Sequence, residues 1–295
     1  MPFCLFRCIC LGPLAVAWLT CGSPGMAEGP PQRPLGAYTR GPQLPQEDPA
    51  RVGRAWLLDT LPMERLTADA QRQISQIAQR PTLHRQLGKQ SIDCDRDLFL
   101  HVVRNPEILV GIWELMEITQ VQTRRLDSYQ LRAVDGAGTQ CTIDLVYGDP
   151  SLHIYVAEGF YDGKLTAGAV HGKGLFILRC DYRTDALGNT VIDGSLDCFL
   201  QVEQLAADLI VRTFGPLIGR TADHNFAETA KFINQLGVNA RSNPDGLEDL
   251  ALRLPQVPDL TRQRFAALVR QSAQRQRVRQ LYRVVPTAAK PTDSP

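Results

Sequence analysis

Residues 192–237, IDGSLDCFLQVEQLAADLIVRTFGPLIGRTADHNFAETAKFINQLG, decide the fold. The stretch opens with a period of two. Ile192, Leu196, Cys198, Leu200 and Val202 fall on one face of a strand, with Asp193, Ser195, Asp197, Gln201 and Glu203 mostly on the other. At Gln204 the period becomes 3.6. Leu205, Leu209, Phe214, Leu217, Ile218, Ala222, Phe226, Ala230, Ile233 and Leu236 then form a helical stripe over about nine turns. A one-sided helix of that length needs a large apolar partner, and the strands before it are the available surface.

Working backwards, Ile118–Val202 reads as β structure. Cys141, Ile143, Leu145 and Tyr147 alternate with Gln140, Thr142 and Asp144; Leu152, Ile154 and Val156 alternate with His153 and Tyr155; Phe176, Leu178, Cys180 and Tyr182 follow the same rule. Turn signals separate them at Asp135-Gly136, Gly148-Asp149-Pro150, Asp162-Gly163, Gly172-Lys173-Gly174 and Leu187-Gly188-Asn189. Six or seven antiparallel strands are expected. Further upstream, Thr67 can cap a helix running to about Arg80, Pro81 opens a second short helix, and Asp95–Arg104 forms a third. Asn105-Pro106-Glu107 reads as another helix start, with Asn at the cap, Pro in the first turn and an acid at the positive end. Ile108, Ile112, Leu115 and Met116 follow on one face, near Trp113. Downstream of Gly237 come the turn Asn243-Pro244-Asp245-Gly246, a short helix over Leu247–Leu254 and a last helix over Thr261–Arg283, capped by Asp259. The pattern predicts an α+β protein in which a curved antiparallel sheet of six or seven strands packs on a long C-terminal helix, with flanking helices.

The chain divides accordingly. Residues 1–27 read as a signal peptide, with Arg7 as its positive end, a short apolar run over Cys8–Thr20 and small residues at Gly25-Met26-Ala27. The run falls short of the roughly 20 apolar residues that span a bilayer. Thr20 and Trp18 fit a lipid-anchoring motif at Cys21 poorly. Residues 28–55 are a Pro-rich linker, 56–94 a helical lead-in, 95–240 the main domain, 241–284 a C-terminal helical extension and 285–295 a polar tail. Export makes the protein periplasmic or secreted. Cleavage would leave Cys94, Cys141, Cys180 and Cys198 in an oxidising compartment. A hairpin turning near Asp185–Asn189 keeps Cys180 roughly 13–20 Å from Cys198, beyond the ~7 Å between Cα atoms that a disulfide tolerates. Buried thiols are the expectation.

The chemistry-bearing motifs are few. A hydrophobic fraction of 44% with 21% charged residues and a net charge of +1 describe an ordinary globular protein with no field favouring nucleic acid. The last helix is the exception: Arg262, Arg264, Arg270, Arg275, Arg277 and Arg279 offer an anionic envelope surface a partner. Its apolar side carries Phe265, Leu268, Val269, Val278, Leu281 and Tyr282. Asp93, Asp95 and Asp97 begin like a calcium loop, but Leu98 stands where Gly is needed and Arg104 where a bidentate Glu is needed. A helix-capping acidic cluster is the better reading. The histidines, at 84, 101, 153, 171 and 224, have no zinc spacing. No nucleophile motif surrounds Ser151 or Ser195, and Gly172 and Gly174 do not open a helix. Neither a metal nor a cofactor is called for.

What remains is the face of the long helix around Thr221-Ala222-Asp223-His224-Asn225, after Gly215-Pro216 and Gly219. Phe214, Leu217, Ile218, His224 and Phe226 on the helix, with Tyr155, Glu158 and Arg179 on the strands, are the candidate lining of a pocket. Acids and a histidine beside an apolar cavity would permit proton chemistry.

The element order over roughly Asp95–Gly237 resembles the START-like and Bet v 1-like proteins of the helix-grip fold. That resemblance implies a sheet wrapped around its last helix and an apolar ligand cavity between the two. The run from Leu196-Asp197-Cys198-Phe199-Leu200-Gln201-Val202 through Thr221-Ala222-Asp223 is similar to a group of exported proteins of planctomycete-type bacteria, which implies export and no particular activity. The resulting expectation is an exported, non-catalytic binding protein for an apolar small molecule, a lipid or a protein partner. A cyclase- or hydrolase-type enzyme using the same cavity is the second reading, and an envelope interaction module using the arginine helix the third.

Overall fold

The computed structural model describes residues 58–164, 166, 168–202 and 215–284, apart from the side chains of 215–221 and 282–284. The stretches read as signal peptide, linker and polar tail lie outside these residues, as do the part of the expected helical stripe from Leu205 to Phe214 and the packing of Leu217 and Ile218. The chain parts into two compact units. Of the first, Leu11–Arg65, the described portion contains the 3-10 turn Met63–Arg65. The second unit holds everything that follows.

That unit is one seven-stranded antiparallel sheet with helices on both faces. The strands are β1 (Leu83–Asp93), β2 (Gln122–Arg125), β3 (Gln130–Val134), β4 (Thr139–Gly148), β5 (Leu152–Tyr161), β6 (Val170–Thr184) and β7 (Thr190–Val202), in the spatial order β1-β7-β6-β5-β4-β3-β2. The helices are α1 (Ala68–Gln79), α2 (Arg96–Arg104), α3 (Glu107–Leu115), α4 (Gly215–Ser242), α5 (Pro244–Leu252) and α6 (Asp259–Val284). A β1-α2-α3 opening, a six-stranded meander and a long helix returning to the sheet make this the helix-grip architecture.

Four of the hairpin turns are built the same way. Asp127, Asp135, Asp149 and Asp185 each accept two backbone N–H groups two to four residues downstream: Tyr129 and Gln130, Ala137 and Thr139, Ser151 and Leu152, Leu187 and Asn189. The carboxylate replaces the turn's own backbone partner, so the aspartates are structural.

Two expectations change. The stretch after Pro81 is not a helix but β1, the strand that pairs with β7 from Leu83↔Leu200 to Asp93↔Val191. Its register shifts between Leu87 and Gln90, and the one extra residue displaces the apolar positions from strict alternation. Asn105 does not cap α3; its side-chain amide donates to His101 O at 2.8 Å and so closes α2. Glu107 does stand in the first turn of α3, where it is fully buried and bound through both carboxylate oxygens by Arg125 of β2.

The convex face of the sheet is covered by α1. Thr67 caps this helix, as its sequence predicts, accepting from Ala70 N at 3.2 Å. Ile74 and Ile77 are buried, as are Ile154, Val156, Leu175, Ile177 and Phe199 on convex strand positions. The larger core lies on the concave face, where Leu131, Ile143, Tyr155, Phe176, Leu178, Ile192, Leu196 and Cys198 meet α2, α3, α4 and α6.

Helix α4 runs along β1. Arg85 of β1 holds Asp223, with Nε 3.2 Å from Oδ1, and Asp93 at the strand's far end holds α4 three ways. Asp93 N donates to Asn234 Oδ1 at 2.8 Å, Arg241 donates to both Asp93 oxygens at 2.9 and 2.5 Å, and Gly237 lies against the backbone. A Cβ at Gly237 would stand 2.2 Å from Asp93 O and 2.7 Å from Cys94 Cα. One turn further, Asp95 caps α2 by accepting from Asp97 N and Leu98 N, and it receives Arg275 of α6 at 2.7 Å; Arg275 also reaches Asp97 at 2.6 Å. The acidic run is therefore where two C-terminal helices are bolted to the sheet.

Candidate concave-face site

Strand parity sorts the candidate residues. Continuous pairing of β5 with β6 from Leu152↔Arg179 to Tyr161↔Val170 puts Tyr155 and Ala157 on the concave face. Glu158 is therefore on the convex face, where it is exposed and sits 3.6 Å from Lys173. On α4 the buried stripe is Ala222, Phe226, Ala230, Ile233, Leu236 and Ala240, and His224 stands two residues, about 200° of helix, from both Ala222 and Phe226. His224 is exposed. Glu158 and His224 thus leave the candidate site, and the acid–base pairing expected of them has no geometry. Arg179, opposite Ser195, shares the convex face with Glu158. Phe214 lies outside the described residues, and α4 carries Leu217 and Ile218 in its first turn.

Tyr155 and Phe226 remain, both in the concave core. The Tyr155 hydroxyl donates to Val103 O at 2.8 Å, tying β5 to α2, and burial raises its pKa. Beside it, Arg104 Nε donates to His153 Nε2 at 3.2 Å. His153 is fully buried; loss of solvation first, then the Arg104 charge, pushes its pKa down to about 4, so the ring is neutral at pH 7. Next to this pair lies the buried Glu107–Arg125 ion pair, whose guanidinium also donates to Arg104 O at 3.4 Å. These contacts hold the α2–α3 elbow to the sheet, and they leave the buried His153 Nδ1 with no hydrogen-bond partner among the described residues.

The sequence reading missed the floor of the concave face. Two rows run across the strands: Ala133, Cys141, Gly159 and Gly172, and next to them Leu131, Ile143, Ala157 and Gly174. Small side chains make up the first row and the half of the second that lies on β5 and β6. Cys141 and Ala157 are apolar, packed against the core and only partly covered. Helix α3 flanks this floor along β2 and α4 flanks it along β1, and the two meet through Trp113 and Phe232, with ring centroids 5.7 Å apart at 62°. The signal was present as small residues on inward strand positions, which the search for bulky apolar residues passed over. Among the described residues, no three His, Cys, Asp or Glu side chains could jointly hold a metal ion. The four described cysteines are free thiols, with Cys180 opposite Gly194 and Cys198 opposite Phe176.

Of the six arginines singled out on the last helix, half are spent on ion pairs within the fold. Arg262 pairs with Asp259, Arg270 with Glu248 and Arg275 with Asp95 and Asp97. Arg264, Arg277 and Arg279 have no ion pair among the described residues. On its apolar side Phe265, Leu268 and Val269 are buried, whereas Val278 and Leu281 are exposed. No described helix is long and apolar enough to cross a membrane.

No family model matches the chain, and no curated protein does. Among solved structures, the chain is similar to a conserved protein from Geobacillus kaustophilus at 14% identity, covering 52% of this chain and 96% of that one, with a TM-score of 0.37. It is also similar to norcoclaurine synthase from Thalictrum flavum at 14% identity, covering 51% and 87%, with a TM-score of 0.32. A third, Ara h 8.0201, is 13% identical over 48% and 95%, with a TM-score of 0.26. The fold assignment rests on the strand order and the packing of α4 given above.

Proposed function

We propose that the protein binds an apolar small molecule between the concave face of its sheet and α4, without catalysing a reaction on it. The observation that carries this reading is the floor of small, partly covered apolar residues around Cys141 and Ala157, flanked by α3 and α4. A side-chain-filled interface would place bulky residues at those positions. Ligand pockets are mostly apolar and pre-formed, with few polar groups fixing orientation, and the Tyr155 hydroxyl and the Glu107 carboxylate are already engaged by Val103 O and Arg125. The export signal read at residues 1–27 puts the binding outside the cytoplasm; mass measurement of the chain recovered from cell fractions tests that part.

The binding itself is tested by titrating the protein with cis-parinaric acid and following its fluorescence. Saturable binding is expected, weakened at least tenfold by Ala157→Trp, with Cys141→Phe as a second filling variant. Thermal midpoints of both variants should stay near the parent's. Absence of binding, or unchanged affinity in two folded filling variants, overturns the proposal.

A further inference from the structure

The sheet's two ends are finished differently. β1 lies under α4, but β2, the terminal strand on the other side, borders an open cleft of about 740 Å³ lined by Glu114, Gln122–Arg125, Arg132, Val134 and Gln256–Pro258. Thr123 N donates to the side-chain oxygen of Gln256. Thr123 therefore turns its backbone away from β3, and so does Arg125 two residues on. Gln256 Nε2 in turn donates to Glu114. Gln256 holds this position with a φ of 61°, a conformation that residues other than glycine rarely adopt. Its amide stands where the carbonyl of an eighth strand would stand.

Charge adds a second, independent indication. Arg124 and Arg132 are directly opposite each other on the convex side of β2 and β3, and both are exposed. Like charges at facing positions repel. Arg132 donates to the neutral Gln140 at 2.8 Å, and neither arginine has a carboxylate partner among the described residues. On the other side of the cleft, Val257 and Pro258 lie with Thr123, while the two charged groups there are already engaged, Glu114 by Gln256 and Arg125 by Glu107.

We propose that β2 is a strand-addition site for an extended peptide segment of alternating acidic and apolar residues, with Gln256 as its displaceable place-holder. Backbone pairing to Thr123 and Arg125 supplies affinity, and acidic side chains on the convex side meet Arg124 and Arg132. This surface is separate from the concave-face site, and either can stand without the other.

The test uses the full chain and a fluorescein-labelled peptide of sequence Glu-Val-Glu-Val-Glu-Val, followed by anisotropy. Saturable binding is expected, weakening as salt rises. The double variant Arg124→Ala/Arg132→Ala should lose at least tenfold in affinity while retaining its thermal midpoint, because both side chains are exposed. A peptide N-methylated at its valines should not bind, and Gln256→Ala should bind more tightly by freeing Thr123 N. Equal binding of a Lys-Val peptide, equal binding of the N-methylated peptide, or no binding at millimolar peptide overturns the proposal.

Discussion

Gly237 shows how one missing atom positions a helix. Gly→Ala in a helix interior ordinarily stabilises by about 1 kcal/mol. Here the new methyl would meet Asp93 O and the Cys94 backbone, neither of which is the free end of a flexible side chain. Gly237→Ala is expected to destabilise by roughly 1–3 kcal/mol through overpacking, read as a lower urea midpoint with an unchanged slope. His153 gives the second residue-scale prediction. Its folded pKa, about 4, lies below the ordinary histidine value of 6.5, so the unfolded chain takes up the proton first as pH falls. The stability it contributes is complete above pH 6.5 and is lost across the window from about 6.5 to about 4. His153→Gln should flatten the dependence of the urea midpoint on pH within that window. The parity of Tyr155 and Glu158 belongs to this scale too. Three positions apart on one strand, they cannot share a face, and that was readable from their numbers alone.

Among the elements, the long helix was legible because burial on one face enforces a regular period, and the central strands, buried on both faces, were legible from the turn signals that bound their apolar runs. β1 was not: its bulge displaces the apolar positions, and its companion β7 lies roughly a hundred residues away. β2 is short and polar, and its place at the sheet's end depends on α3 and the segment before α6. α6 illustrates a different limit. Its arginines read as an exposed field, yet two of them, Arg270 and Arg275, end on other elements: Asp95 and Asp97 read as helix-capping acids, and Glu248 carries no signal of its own. Arg275 is the element's anchor and is partly exposed, so its worth is modest. In a double-mutant cycle, Arg275→Met and Asp95→Asn should couple by about 1 kcal/mol, and Arg264→Met with the same partner should not couple at all. Equal coupling for both would mean that general electrostatics, not this contact, docks α6.

For the molecule as a whole, the two ends of the sheet share a device. Asn234 Oδ1 takes Asp93 N beside β1, and Gln256 Oε1 takes Thr123 N beside β2. Both amides lie C-terminal to the last strand. The consequence concerns time during synthesis. At 5–20 residues per second, roughly 50 residues separating Val202 from Gln256 take about 3–10 seconds to be added. Over that interval β2 to β7 can already be paired, while the terminal edge at Thr123 still lacks its closing amide. A ribosome stalled in this stretch would hold out a nearly finished sheet with an uncapped edge, a template for pairing with its neighbours on the same message.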